Sequence, residues 1–332
     1  MNSKGILKTL GVIITIAVLA GIILLLSNNK SKDKDKIKIG ILQLAEHKAL
    51  DDARQGFIDE LSANGIQVEI DVKNAQGNVA DAQIMANKFV SDNVDLVFAI
   101  ATPAAQAAKQ ATIGKDIPVL FTAVTDPVYS ELVSKEDTIT EKITGVKDGV
   151  SKENIKDLIT VIQTLKNSQK TIGIIYNIGE SNSEIQIKEV KSVADEMGVS
   201  VETVGITTIN DIPQAINTLS SKIDGLFLTS DNMVVSAIGL VAETAKEKGI
   251  ITVTVDDTCV DSGIMFANGI NYYELGKQTG IMAKKLFVDN IGISEIHVEE
   301  AKILSKKLNI TTLEKLNISK DLEIFKDSEI VK

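Results

Sequence analysis

Residues 94–105 read VDLVFAIATPAA, and this stretch indicates the fold class of the chain. Its first seven residues are apolar except for Asp95, a pattern typical of a buried strand. Thr102 is then placed to cap a helix, and Pro103 to occupy the first helical position. A buried strand followed at once by a helix is the repeating unit of a parallel sheet covered by helices, so we predict an α/β protein.

Similar patterns flank this stretch, and they occur twice along the chain. Residues 37–42, 66–72 and 117–123 predict three more strands around the first one. The sequence Ile172-Gly173-Ile174 then repeats Ile39-Gly40-Ile41, and later strands repeat with a similar offset of about 130 residues. We therefore predict two similar lobes, each with a doubly wound parallel sheet, joined near Gly145.

The last part of the chain does not start a third copy of the pattern. Residues 264–300 predict a strand, a turn and an amphipathic helix that return to the first lobe, and residues 301–332 return to the second. The predicted lobes are thus residues 37–145 plus about 264–300, and 146–263 plus about 301–332. A chain that crosses between lobes several times forms a hinge, about which ligand binding is expected to close the lobes.

Residues 1–36 predict a membrane anchor and a linker. An uncharged apolar run extends from Leu10 to Leu26 behind Lys4 and Lys8, which favours an uncleaved transmembrane helix with the rest of the chain on the extracellular face of the cell membrane. A cleaved signal peptide is the alternative. Lipidation is excluded here, because Ile22 stands where a lipoprotein signal has its cysteine.

Composition excludes several classes of function. The net charge is −10, which argues against nucleic acid as a partner. Arg54 is the only arginine and Cys259 the only cysteine, so arginine forks for anions and multi-cysteine metal sites are absent. The sequence also lacks phosphate-loop, dinucleotide-turn and nucleophile-elbow motifs. We expect neither catalysis, nor a cofactor, nor a metal.

Polar side chains follow predicted strands in both halves of the chain. They include those after residues 100, 121, 176, 228 and 255. The carboxyl ends of parallel strands are where such sheets bind ligands, although Ser, Thr, Asp and Asn are also what any helix start requires. The pair Glu46-His47 lies at the same end of the first strand. Because the pattern occurs in both lobes, we expect two facing crevices that close on one small molecule.

Five stretches resemble bacterial ABC transporter substrate-binding proteins of the tryptophan and tyrosine uptake type, over about residues 37–320. They are EHKALDDARQGF (46–57), KNAQGN (73–78), KFVSDNVDLVFAIATPAAQAA (88–108), IPVLFTAVTDPV (117–128) and NYYELGKQT (271–279). The resemblance implies a type I periplasmic-binding fold, an amino acid bound between the lobes, and delivery to a permease driven by a separate ATPase. The ligand-binding positions that it implies are Thr102, Ala104, Ala123, Thr125, Asp126, Ser181, Asn182, Ser183, Asp231, Asn232 and Asp256.

For the ligand we expect a free L-amino acid, aromatic or large and apolar, bound as a zwitterion. Without arginine, its carboxylate should lie against the helix N-termini after Thr102 or Ser181. Its ammonium should pair with Asp256, with Asp126 and Asp231 as alternatives. The few rings available to stack on it are those of Phe98, Phe121, Tyr129, Tyr176 and Tyr272. A ligand-sensing receptor domain for a membrane partner and, less favoured, a two-domain transferase are the competing functions.

Overall fold

The computed structural model describes residues 36–134, 142–166 and 168–332. Within these ranges no helix is both long and apolar enough to span a bilayer. The predicted anchor at residues 10–26 and most of its linker lie outside the described residues.

Strands and helices alternate over most of the described chain. In chain order, the elements are β1 (Ile37–Gln43), α1 (Lys48–Ala63), β2 (Val68–Asn74), α2 (Val79–Ser91), β3 (Leu96–Ile100), α3 (Thr102–Thr112), β4 (Val119–Val124), β5 (Ile143–Lys147), α4 (Lys152–Leu165), β6 (Thr171–Asn177), α5 (Ser181–Glu196), β7 (Ser200–Ile206), α6 (Ile212–Leu219), β8 (Gly225–Leu228), α7 (Asn232–Ser236), α8 (Ile238–Glu247), β9 (Ile251–Asp256), β10 (Phe266–Ile270), α9 (Tyr272–Phe287), β11 (Glu299–Glu300), β12 (Leu304–Asn309), α10 (Ile310–Lys315) and β13 (Glu329–Val331).

These strands form two sheets. The first has the order β11-β5-β4-β3-β1-β2, and the second has the order β13-β12-β10-β9-β8-β6-β7. In the first sheet, the pairs that join β1, β3, β4, β5 and β11 are parallel, and those of the second sheet are parallel except that β12 runs antiparallel to β10. The two predicted parallel sheets are therefore present, each extended at one edge by strands from the C-terminal part of the chain.

The first sheet carries helices on both faces. Gly40 and Phe98 point to opposite faces, since Gly40 pairs with Val97, the neighbour of Phe98. The ring of Phe89 in α2 lies against Gly40, leaving no room there for a Cβ atom. The ring of Phe57 in α1 stacks on Phe98, with ring centroids 3.9 Å apart. Hence the first lobe is doubly wound, as predicted.

The second sheet is covered in the same way. Ile174 and Phe227 belong to one buried apolar cluster together with side chains of α4 and α5. Their chain neighbours Ile175 and Leu226 belong to a separate cluster with side chains of α6 and α8. Since adjacent strand residues face opposite ways, the two clusters lie on the two faces of this sheet.

Over the described residues, the chain crosses between the lobes three times. The first crossing follows β5. The second lies at Asn271, between β10 and α9, and the third lies between β11 and β12. The predicted return to the first lobe at about residue 264 is seven residues too early, because Phe266–Ile270 pairs between β9 and β12 in the second sheet. Gly145 lies inside β5 of the first sheet, so that boundary follows Lys147.

Helix α9 is held tightly against α1 in the first lobe. A Cβ atom at Gly56 would lie 2.0 Å from the carbonyl oxygen of Tyr273, and one at Gly276 would lie 1.9 Å from that of Ala53. Only glycine permits this backbone approach. The contact fixes the start of α9, where Tyr272 lies next to the space between the lobes.

Candidate functional site

A small cavity with an accessible volume of about 10 Å³, room for about one water molecule, lies between the two lobes. Its walls come from the carboxyl ends of strands in both sheets and from the helices that follow them. The lining residues are His47, Leu50, Ala123, Thr125, Asp148, Asn182, Ser230, Asn232, Val235, Asp256 and Tyr272. This set holds two carboxylates and neither lysine nor arginine.

Backbone strain marks the wall formed by the first lobe. Ala123 has φ 56°, and the register of β4 against β5 shifts between Thr122 and Val124. Ala101, at the end of β3, has φ 82°. For residues other than glycine, such values cost about 1–3 kcal/mol, and this cost is tolerated mainly at functional sites. Ala101 directly follows β3 and Ala123 is the last residue but one of β4, so both lie at strand ends that face the second lobe.

The prediction that Thr102 caps α3 is wrong by one position. Ala101 precedes the helix, and Thr102 is its first residue. The Oγ1 atom of Thr102 is buried and has no hydrogen-bond partner within the described residues. Its hydroxyl is therefore available for a role other than capping.

Asp148 links the first crossing to the first lobe. Its Oδ1 accepts from the Thr125 hydroxyl at 3.1 Å, and its Oδ2 accepts from the Tyr272 hydroxyl at 2.9 Å. The Tyr272 oxygen also lies 3.1 Å from Oγ of Ser230 in the second lobe. Burial raises the pKa of Asp148. The Asp148 carboxylate thus ties the hinge to the first lobe, and the Tyr272 hydroxyl that it binds reaches Ser230 on the opposite wall.

Asp256 ends β9 and lines the wall formed by the second lobe. Its Oδ1 accepts from the backbone N–H of Thr258 at 2.9 Å and from the hydroxyl of that residue at 2.7 Å. The side chain is 1% exposed, and burial raises its pKa to about 7. No cationic partner lines the cavity beside it. This carboxyl is suited to pair with a cation supplied by a ligand.

Two amides complete the wall formed by the second lobe. Asn182 and Asn232 both donate from Nδ2 to the carboxylate of Glu180, at 3.2 and 2.6 Å. The Oδ1 atom of Asn232 lies 3.3 Å from Nε2 of His47 in the first lobe. Burial lowers the pKa of His47, which favours the neutral imidazole.

The other two predicted aspartates stabilise local structure. Asp231 accepts from the backbone N–H groups of Asn177 and Val234 at 2.7 and 3.0 Å, and from the Ser183 hydroxyl at 2.6 Å. Burial, with the nearby Glu180 carboxylate, raises its pKa to about 7. Asp126 instead accepts from two backbone N–H groups of the turn that follows it.

The structure places five of the predicted binding residues in the cavity lining: Ala123, Thr125, Asn182, Asn232 and Asp256. Six others lie outside it: Thr102, Ala104, Asp126, Ser181, Ser183 and Asp231. The predicted set omitted Leu50, Asp148, Ser230 and Val235. His47 was noted only for its position after the first strand, and Tyr272 only as a ring that could stack on the ligand. Asp148 follows a strand, as the predicted binding residues do. It was missed because the lobe boundary was predicted at Gly145, inside that strand. Within the described residues, no cluster of His, Cys, Asp and Glu is arranged to hold a metal ion.

Direct contacts join the two lobes around the cavity. Gln186 of α5 donates from Nε2 to the Thr125 hydroxyl oxygen at 3.2 Å, besides the contacts of His47 with Asn232 and of Tyr272 with Ser230. The lobes therefore have a closed arrangement over the cavity.

Comparison with known proteins gives a consistent family. The family described as "ABC transporter substrate binding protein" matches residues 38–332. A protein named tyrosine-binding protein, from Clostridioides difficile strain R20291, is 37% identical over 300 residues, which cover 88% of this chain and 84% of that protein. The resemblance noted in the sequence is thus confirmed. These relatives are solute-binding proteins and not enzymes, which also confirms that expectation.

Two solved structures extend the comparison. The ABC domain from Streptococcus pneumonia in complex with L-Trp has a TM-score of 0.81 at 29% identity, covering 89% of this chain and 100% of that one. A ligand-free, open substrate-binding protein with adhesive properties from Clostridium difficile has a TM-score of 0.67 at 38% identity, covering 89% and 99%. The fold is therefore the predicted type I periplasmic-binding-like fold.

Proposed function

Because this chain belongs to the family of ABC transporter substrate-binding proteins, we propose that it binds a free L-amino acid between its lobes and delivers it to a membrane permease driven by a separate ATPase. The proposed ligand is aromatic, tyrosine or tryptophan, or otherwise large and apolar. A relative named for tyrosine and a structure that holds L-Trp support this choice.

The observation that carries the proposal is the chemistry of the cavity lining. Leu50, Val235 and the ring of Tyr272 provide apolar contacts, while Asp148 and Asp256 provide buried carboxylates. A lining of this kind suits a small molecule with an apolar part and a positively charged group. Such a lining does not suit a phosphate or another anion without a positive charge.

Asp256 is the proposed partner of the ligand's ammonium group. It is buried, it lines the cavity, and its Oδ1 already accepts two hydrogen bonds from Thr258 that orient the carboxyl. An ammonium ion placed against it would supply the missing positive charge and favour the ionised carboxylate. Asp126 and Asp231 are weaker candidates, because neither of them lines the cavity.

For the carboxylate of the ligand, the N-terminus of α3 or of α5 remains the proposed position. Free backbone N–H groups in the first turn of a helix bind anions without arginine. The unpartnered hydroxyl of Thr102 supports α3. A groove that adjoins the cavity at Asn232 is lined by Pro103 on the α3 side, whereas the Glu180 carboxylate lines it on the α5 side and would repel an anion, which further favours α3.

Closure of the lobes around the ligand is proposed as the binding motion. The TM-score to the L-Trp complex is higher than that to the open structure, although the sequence identity is lower. This ranking supports a closed arrangement as the form that encloses ligand. Small-angle scattering should then show a more compact protein with ligand, and identical curves at saturation would oppose closure.

For location, we propose that residues 1–36 anchor the chain in the cell membrane with the lobes on the extracellular face. Support comes from the apolar run behind two lysines in the sequence. The intact mass of protein extracted from membranes tests this, because cleavage would give a mature chain that starts near residue 27.

The amino-acid proposal is tested by native mass spectrometry of the full chain, purified in mild detergent. The expected result is an amino acid that co-purifies with the protein. After incubation, the released amino acid should have the same mass as before. A bound sugar or phosphate would contradict the proposal. The second candidate function is ligand sensing for a membrane partner. Assays of amino-acid uptake in cells with and without the neighbouring transport genes distinguish sensing from transport.

A further inference from the structure

Glu180, the residue that precedes α5, is a buried carboxylate surrounded by neutral N–H donors. Its Oε1 accepts from Asn177 Nδ2 at 3.3 Å and from the Met233 backbone at 3.1 Å. Its Oε2 accepts from Asn182 Nδ2 at 3.2 Å, Asn232 Nδ2 at 2.6 Å and the Asn232 backbone at 3.0 Å. A carboxylate has about four lone-pair positions, so these five donors leave Glu180 no capacity to bind a ligand.

These contacts fix the orientation of two amides in the cavity lining. The Nδ2 group of Asn182 also donates to the carbonyl oxygen of Ser230 at 3.1 Å, so acceptors surround it. The NH₂ group of each amide is directed to Glu180, which does not line the cavity, so we infer that the oxygen of each amide faces it. The Oδ1 atom of Asn182 is buried without a hydrogen-bond partner in the described part of the chain. That of Asn232 has only the 3.3 Å contact with His47.

An oxygen-lined cavity selects for hydrogen-bond donors. Asn182 and Asn232 contribute neutral oxygens, and Asp148 and Asp256 contribute carboxylates, while the lining holds neither lysine nor arginine. An ammonium group has three donors and no acceptor, and it matches such a set. If either amide were rotated by half a turn, an NH₂ group would face the ammonium and repel it.

We propose that Glu180 is a positioning residue that sets specificity for a ligand bearing an ammonium group, because it holds the Asn182 and Asn232 oxygens toward the cavity. This inference rests on the proposed function, since it concerns how the same cavity recognises an amino acid. Glu180 itself does not touch the ligand. Its role differs from that of Asp256, which supplies charge to the site.

The test compares an amino acid with the same molecule lacking its amino group. Calorimetry on the full chain measures L-tyrosine against 3-(4-hydroxyphenyl)propanoate, and L-tryptophan against 3-(indol-3-yl)propanoate. In Glu180→Gln, the new NH₂ group competes with the amide donors, so at least one asparagine turns. Affinity for the amino acid should fall about 10- to 100-fold, the effect of losing a hydrogen bond to a charged group. Affinity for the desamino acid should change by less than about threefold.

The matched control is Glu184→Gln, which removes the same charge from an exposed residue in the first turn of the same helix. It should leave both affinities unchanged. If Glu180→Gln does not fold, Asn182→Leu decides the question, because it removes one oriented oxygen directly and should cause the same selective loss. Equal losses for both ligands, or no loss, would overturn the proposal.

A measurement without ligand separates this inference from the proposed function. In ¹⁵N spectra of the full chain, the side-chain NH₂ groups of Asn182 and Asn232 should exchange with solvent much more slowly than that of the exposed Asn210. In Glu180→Gln, at least one of them should lose this protection. Rapid exchange in the parent protein would overturn the positioning role even if amino acids bind. Failure of every amino acid to bind, with the protection present, would instead refute the proposed function.

Discussion

The two lobes build their walls of the cavity by different means. The first lobe contributes strained backbone, with Ala101 and Ala123 at positive φ, beside the hydroxyls of Thr125 and Tyr272 that Asp148 holds. The second lobe contributes a preassembled polar network in which Glu180 and Asp231 hold neighbouring amides, hydroxyls and backbone groups. Substitutions in the second lobe should therefore change ligand affinity, whereas substitutions at the strained positions should mainly change stability.

The largest expected effect comes from Asp256→Ala. If Asp256 pairs with the ammonium, its removal leaves a desolvated cation, which costs about 2–5 kcal/mol, or about 30-fold to several thousand-fold in affinity. Asp126→Ala is the control in the first lobe, since Asp126 only stabilises a turn. Calorimetry with L-tyrosine and L-tryptophan measures both variants. Wild-type affinity in Asp256→Ala would remove this residue from the site.

Asp231→Ala should separate stability from binding within the second lobe. It leaves three hydrogen-bond donors, on Asn177, Ser183 and Val234, without their acceptor. Each unsatisfied buried donor costs about 1–3 kcal/mol. We expect a large fall in the denaturation midpoint and, in the folded fraction, a smaller loss of affinity than in Asp256→Ala. The reverse order would make Asp231 the ammonium partner.

The raised pKa of Asp256 predicts opposite pH trends for stability and for binding. The folded protein keeps this carboxyl protonated up to about pH 7, whereas the unfolded chain loses the proton near 3.8. Its contribution to the free energy of unfolding is therefore full below about pH 4 and falls as the pH rises toward 7. The ammonium needs the ionised carboxylate, so affinity should rise over pH 5–7, by at most about tenfold per pH unit.

Asp256→Asn isolates this residue from Asp231, whose pKa is also raised to about 7. Chemical unfolding and calorimetry at pH 5, 6, 7 and 8 compare the variant with the parent. The difference between the two proteins in free energy of unfolding, and their difference in affinity, should change with pH as predicted for Asp256. Parallel curves would show that Asp256 does not titrate in this range.

A smaller loss of affinity is expected for Tyr272→Phe. The variant leaves Oδ2 of Asp148 without the donor seen here and removes the contact with Ser230 across the cleft. We expect about a tenfold loss of affinity, with a less compact ligand-bound form in small-angle scattering. Tyr273→Phe is the matched control, because that hydroxyl bonds Asp59 within the first lobe. Equal effects of the two variants would argue against a link between the lobes.

The smallest effect is expected at the strained wall of the first lobe. Glycine adopts φ 56° without the Cβ penalty, so Ala123→Gly should raise the free energy of unfolding by up to about 1 kcal/mol. Ligand affinity should change little, since the backbone keeps its path. Denaturant titration measures the first quantity and calorimetry the second. A clear loss of affinity would show that the methyl group itself contacts the ligand.

Much of the fold was predictable because its signals are local. Buried strands such as Leu96–Ile100 are continuous apolar runs, and the repeat of Ile39–Ile41 at Ile172–Ile174 reveals the second sheet. The second crossing was misplaced because Phe266–Ile270 reads equally well as a strand of either sheet. Its partners, β9 and β12, are decided by tertiary pairing.

The site was predictable only in part, for a related reason. The rule that ligand groups follow strands located Thr125, Asn182, Asn232 and Asp256 in the cavity lining. It did not distinguish these from Asp126 and Asp231, because a cap and a ligand contact use the same side chains. The difference depends on which N–H groups lie within reach, and this is a property of the folded chain.

The most direct test of the central claim is calorimetric titration of the full chain with L-tyrosine, L-tryptophan, L-leucine, a hexose and inorganic phosphate. We expect one molecule of an aromatic or large apolar L-amino acid to bind per chain, with no heat from the hexose or from phosphate. Binding of the hexose or of phosphate, with no amino acid bound, would contradict it.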